Sequence, residues 1–86
     1  MWVSPSDHKL IGTYLADVRR AAGVSQVELA ARLGKPQSFV SSYERGQRRV
    51  DFLEFVLIAM ALGANAEQIG RGLLERVVAL VKGDEN

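Results

Sequence analysis

Residues 25–46 read SQVELAARLGKPQSFVSSYERG, a helix, a tight turn and a second helix. Ser25, with Glu28 three residues on, is a capping box, so the spacing predicts a helix start at Ser25. Leu29, Ala30 and Leu33 give that helix an apolar face, and Gly34 sits where it must stop and reverse. Pro36 either presets φ for the first turn of the next helix or fills its capping position. Val40 and Tyr43, three apart, bury the second helix against the first. Gln37, Ser38, Phe39, Ser41 and Ser42 are left facing outward. They are short, polar or flat, unlike the Glu/Lys mixture of a solvated face, and they suit a helix that enters the major groove of double-stranded DNA.

Charge is distributed accordingly. The 86-residue chain carries a formal net charge of only +1, which by itself points to no nucleic acid. Residues 32 to 49, however, hold Arg32, Lys35, Arg45, Arg48 and Arg49 against Glu44 alone, a balance of 5 − 1 = +4. The remainder has 6 basic and 9 acidic residues, or −3. Positive charge is thus concentrated in and just after the outward-facing helix. Lys35, Arg45, Arg48 and Arg49 are phosphate candidates that would position a duplex and carry most of the salt-dependent affinity. Ser41 is a scaffold or phosphate residue.

Base reading falls on the first turns of the same helix. The Gln37 amide can pair at two points with adenine N6 and N7, and Ser38 and Ser42 share its outward face. Phe39 either packs on a thymine methyl or folds back onto the domain, and the sequence leaves both open.

The rest of the chain reads as helix, with no strand signal. A first helix runs from about Asp7 to Ala22, with Ile11, Tyr14, Leu15 and Val18 at helical spacing. A fourth starts at Asp51, capped with Glu54, and ends at Gly63; a fifth runs from Asn65 to about Lys82. The expected fold is all-α, a compact five-helix bundle in a single domain spanning residues 1–86. Ala30 is expected to be small because the third helix crosses there, and Gly34 to adopt a left-handed conformation.

The fourth helix is apolar almost all round, from Phe52 to Leu62, and the fifth carries two adjoining apolar stripes. A bundle of this size cannot bury both within one subunit. A homodimer interface is therefore expected at Ile69, Leu73, Leu74, Val77, Val78 and Val81, with Gly70 and Gly72 allowing close backbone approach across it.

Other classes lose support. There is no cysteine, hence no disulfide framework or thiolate metal site. The longest apolar run, Phe55 to Leu62, is too short to span a bilayer, and the N-terminus lacks a signal-peptide layout. A soluble cytoplasmic protein without membrane contact is expected. His8 has no nucleophile or ligand cluster near it in sequence, and no nucleotide loop or metal spacing occurs. No enzyme activity and no cofactor are expected.

Taken together, S-Q-x-E-L-A-x-x-L-G (Ser25 to Gly34), Q-S-x-V-S-x-Y-E-R-G (Gln37 to Gly46) and Arg48-Arg49 resemble the phage-repressor-like (Cro/Xre) helix-turn-helix family. The resemblance extends from Ile11 to Gly63. It implies a lambda-repressor-like fold and a structural ion pair between Arg19 and Glu44. It also implies a phosphate grip by Gln26 at the start of the second helix, where the helix dipole favours an anion. Val50 stands where many relatives have proline, and Lys35-Pro36 replaces their usual cap. A sequence-specific homodimer on an inverted-repeat operator, regulating transcription and most simply repressing it, follows from the resemblance. The competing reading is a protein-interaction module, such as an antitoxin that holds a toxin through its apolar fourth and fifth helices.

Overall fold

The structure, a computed structural model, describes residues 4–84. Its elements are a 3-10 turn (Pro5–His8), α1 (Lys9–Ala21), α2 (Gln26–Leu33), α3 (Gln37–Glu44), α4 (Phe52–Ala61) and α5 (Ala66–Asp84). The described residues contain no strand, and the five helices are those expected from the sequence.

Local chemistry sets each boundary. The Ser25 hydroxyl accepts from the Glu28 N–H at 3.0 Å and starts α2. Glu28 does not complete the box; its carboxylate lies 3.9 Å from Arg32, one turn on. Gly34 takes φ +67°, a left-handed conformation that costs an L side chain free energy. The Lys35 N–H then reaches back to the Ala30 carbonyl at 2.9 Å. Pro36 is the N-cap of α3, extended at ψ 157°, rather than its first helical residue. At α4 the box is complete: Asp51 accepts from the Glu54 N–H at 2.8 Å and donates its own N–H to Glu54 at 3.0 Å. Asn65 caps α5 through the Gln68 N–H at 3.1 Å.

The chain enters α1 differently from the expectation of a helix beginning at Asp7. A 3-10 turn comes first, and the Asp7 carboxylate accepts from the Ser4 N–H at 2.7 Å. Such tight turns commonly precede an α-helix.

Leu15, Leu29, Val40, Tyr43 and Ile58 are fully buried, so α1 to α4 each drive a large side chain into one core. Each such apolar burial contributes roughly 1.5–3 kcal/mol. Ala30 is buried in the same core. Two contacts were not legible in the sequence. Gly12 lies buried on α1 with the Tyr43 carbonyl filling the space a Cβ would take. In α5, Gly72 faces the Tyr14 hydroxyl, which itself donates to the Ile69 carbonyl at 2.7 Å. Gly72 therefore serves a close approach inside the subunit, not one between subunits.

Candidate nucleic-acid interface

α3 and the segments flanking it form one face of the molecule. Gln37 and Ser38 are exposed at its start, and Ser41 and Ser42 are half-buried along the next turn. Phe39, half-buried, packs its ring against the domain. Its ring meets Tyr43 edge-on, with centroids 5.7 Å apart and planes at 75°. The Lys35 ammonium lies 5.7 Å from the Phe39 centroid and the Arg48 guanidinium 4.6 Å. Both are cation–π distances.

A hydrogen-bonded chain runs beneath this face. Arg19 grips Glu44 with two bonds, Nε to Oε2 at 2.7 Å and Nη2 to Oε1 at 3.0 Å, and donates a third to the Val24 carbonyl at 2.9 Å. The side chains are 9% and 4% exposed, so this is a largely dry ion pair, and bonding to Glu44 raises the already high Arg19 pKa. Gln26 Nε2 donates to Glu44 Oε1 at 2.8 Å. Gln37 Nε2 donates to Gln26 Oε1 at 3.3 Å. The first turns of α2 and α3 are thus joined through the two glutamines, one expected at a phosphate and the other at a base. Beside them, burial pushes the Tyr43 hydroxyl well above its ordinary pKa.

The five cations of residues 32–49 divide into two groups. Arg32 donates to the Ala61 carbonyl at 2.9 Å and ties α2 to the end of α4. Arg48 holds Glu54 at 2.7 and 3.1 Å while stacking on Phe39, so it clasps the α3–α4 loop. That clasp holds the Glu54 carboxyl below its ordinary range, helped by the Asp51 N–H. Lys35, Arg45 and Arg49 are exposed and form no ion pair with a carboxylate among the described residues. These three are free to meet phosphate without first breaking an ion pair.

The expected interface residues on α5 also separate. Ile69 is buried in the subunit core and Leu73 packs partly against it, so Ile69 does not lie on an outward stripe. Leu74 (61% exposed) and Val78 face outward, while Val77 and Val81 are half-buried. On α4, Phe52 (80% exposed), Leu53, Leu57 and Met60 are also exposed. A groove of about 340 Å³ opens between these helices, lined by Ile11, Phe52, Phe55, Leu73, Leu74 and Val77. Among the described residues, no three His, Asp or Glu side chains are placed to hold a metal ion. No described helix is long and apolar enough to cross a membrane.

An all-helical protein with a paired α2–α3 unit and a polar outer face on α3 is of the helix-turn-helix class. The helix-turn-helix family model matches residues 15–69. The chain is 40% identical over 57 residues to the uncharacterized HTH-type transcriptional regulator y4dJ of Sinorhizobium fredii, covering 66% of this chain and 74% of that one. Among solved structures it resembles an XRE-family like protein from Pseudomonas syringae, with 38% identity, 83% and 87% of the two chains covered and a TM-score of 0.72. It also resembles the restriction-modification controller protein C.AhdI from Aeromonas hydrophila, with 34% identity, 74% and 97% covered and a TM-score of 0.65. The chain belongs to the Xre family of helix-turn-helix proteins, whose members are DNA-binding regulators of transcription.

Proposed function

We propose that this chain binds a specific double-stranded DNA site as a homodimer and represses transcription by occluding a promoter. The carrying observation is the α3 face: an exposed Gln37 and Ser38 bordered by the unpaired cations Lys35, Arg45 and Arg49. Gln37, Ser38 and Ser42 are assigned to base edges. Phe39, half-buried, would contact bases only by its outer edge. Lys35, Arg45, Arg48 and Arg49, with Gln26 and Ser41, are assigned to phosphates; Arg48 would act through the guanidinium donors that Glu54 and the Arg49 carbonyl leave spare. Selection of retained duplexes from a random pool at near-physiological salt tests this. An enriched inverted repeat with half-sites about 10 base pairs apart supports it. Failure of a folded protein to enrich any sequence refutes it, and turns attention to a protein partner such as a toxin.

Dimerisation is assigned to the face built from Phe52, Leu53, Leu74 and Val78, with Val77 and Val81 at its margin and Leu73 lining the groove. So many exposed apolar side chains on a small subunit mark an interaction surface. A two-fold pair would set the two α3 helices about 34 Å apart, one turn of DNA. Sedimentation equilibrium is expected to give a dimer for the wild type and a monomer for Phe52→Ser with Leu74→Glu. A monomeric wild type contradicts the assignment. The same regulator is expected to be cytoplasmic.

A further inference from the structure

We propose that Lys9, the first residue of α1, is a further phosphate contact, its side chain laid across Gly46 so that it extends the cationic edge of the DNA-binding face past Arg45. This rests on the double-stranded-DNA binding proposed above.

A lysine on a helix surface gains support from a carboxylate three or four residues away. Lys9 has none: Pro5 and Ser6 lie at those distances before it, and Gly12 and Thr13 after it. Asp7, two residues away, is engaged in its own turn, where it accepts from the Ser4 N–H at 2.7 Å. Lys9 is exposed and forms no ion pair among the described residues. Its stem is nevertheless held. A Cβ on Gly46 would run into the Lys9 side chain, whose own Cβ and Cδ lie 3.0 Å from that position. Gly46 takes φ +75° to close α3, with its N–H on the Tyr43 carbonyl at 3.1 Å and the Gln47 N–H on the Ser42 carbonyl at 2.9 Å. One glycine thus ends the helix and leaves bare backbone on which the methylenes of Lys9 rest.

Position decides what the ammonium meets. α3 has eight residues and is about 12 Å long, close to the width of the major groove. With Gln26 and the start of α2 at one phosphate backbone, the far end of α3 falls beside the opposite one. Arg45 sits at that end as the C-cap of α3, and Arg48 and Arg49 follow. Lys9 reaches the same end from a different helix. A stem fixed in advance loses less rotamer freedom when its ammonium is seated on a phosphate. The competing role is a structural one, because the carbonyl end of a helix also attracts a cation.

The test titrates the duplex recovered by selection with wild type, Lys9→Ala and Arg45→Ala at several salt concentrations, and melts each protein. Alanine suits a helix surface, so Lys9→Ala should fold. It is expected to reduce the slope of log affinity against log salt by about 0.9 for each bound subunit, the loss of one phosphate contact. Base preferences and the melting temperature should not change. Replacing single phosphates by uncharged methylphosphonates then locates the contact: at one position the change should weaken wild type several-fold and Lys9→Ala hardly at all. A folded Lys9→Ala with the wild-type slope overturns the proposal, and a lowered slope for Arg45→Ala in the same series leaves DNA binding itself standing. A lower melting temperature with the slope intact assigns Lys9 to the end of α3 as a structural cap and also overturns it. So does a lowered slope with no methylphosphonate position separating the two proteins, which shows only a diffuse field. If selection enriches no duplex, the DNA-binding reading fails and the proposal falls with it.

Discussion

The carbonyl oxygen of Tyr43 occupies the space that a side chain on Gly12 would fill. This contact lets α1 lie directly on the end of α3, and it puts Arg19, two turns further along α1, within reach of Glu44. Gly12→Ala must separate two backbones rather than displace a flexible side chain. Overpacking of this kind costs about 1–3 kcal/mol, and in a domain of this size each kcal/mol lowers Tm by roughly 4–8 °C. A melting point at least about 4 °C lower is expected; an unchanged one contradicts the close approach.

Arg19 and Glu44 form an ion pair that is nearly inaccessible to water. Arg19→Met leaves Glu44 as an uncompensated buried charge and is expected to destabilise by about 3–5 kcal/mol in urea unfolding. Adding Glu44→Leu removes the orphan and should restore most of the loss. Equal effects from the single and double variants would show that the charge is not the cause.

Tyr14 and Gly72 form a second tight pair, bridging α1 and α5. Gly72→Ala is expected to destabilise through collision with the Tyr14 hydroxyl. Tyr14→Phe alone should cost about 1 kcal/mol for its lost hydrogen bond to the Ile69 carbonyl. In the Tyr14→Phe background Gly72→Ala should cost less than in the wild type. Strict additivity in this cycle would contradict the contact.

Glu54 gives the protein a signature at acid pH. Its carboxyl is held below its ordinary value chiefly by Arg48, then by the Asp51 N–H. A group whose folded pKa is lowered contributes stability that is complete above its unfolded value, about 4.3. That contribution is lost as pH falls through the folded pKa. The wild type should therefore exceed Glu54→Gln in stability at pH 7, by a margin that shrinks once the pH drops below about 4.3. A margin that stays constant from neutral to strongly acid pH contradicts the clasp.

Much of the fold was written in local signals. Ser25, Gly34, Asp51 and Asn65 mark helix ends because capping depends on residues three or four apart, and those spacings are visible in one dimension. The contacts between distant segments were not. Nothing in the sequence distinguishes Gly12 or Gly72 from a merely weak helix residue, since the group that crowds each comes from another helix. The Arg48–Glu54 clasp was not legible because Glu54 also had a capping role, and a side chain that does both is invisible to spacing. Ile69 shared the apolar stripe of α5 with Leu74, yet only the packing of α5 on α1 and α4 decides which of them turns inward. The candidate site was legible as far as α3 itself, while the chain of bonds from Arg19 to Gln37 needed three dimensions.

The outer face of α3 is the surface proposed to meet DNA. The most direct measurement is a map of backbone amide shifts as isotope-labelled protein is titrated with the duplex recovered by selection. The largest perturbations are predicted at Gln26, across residues 37–42, and at Arg45 and Arg49. Perturbations centred on Phe52, Leu57 and Leu74, with Gln37 and Ser38 unmoved, would contradict it.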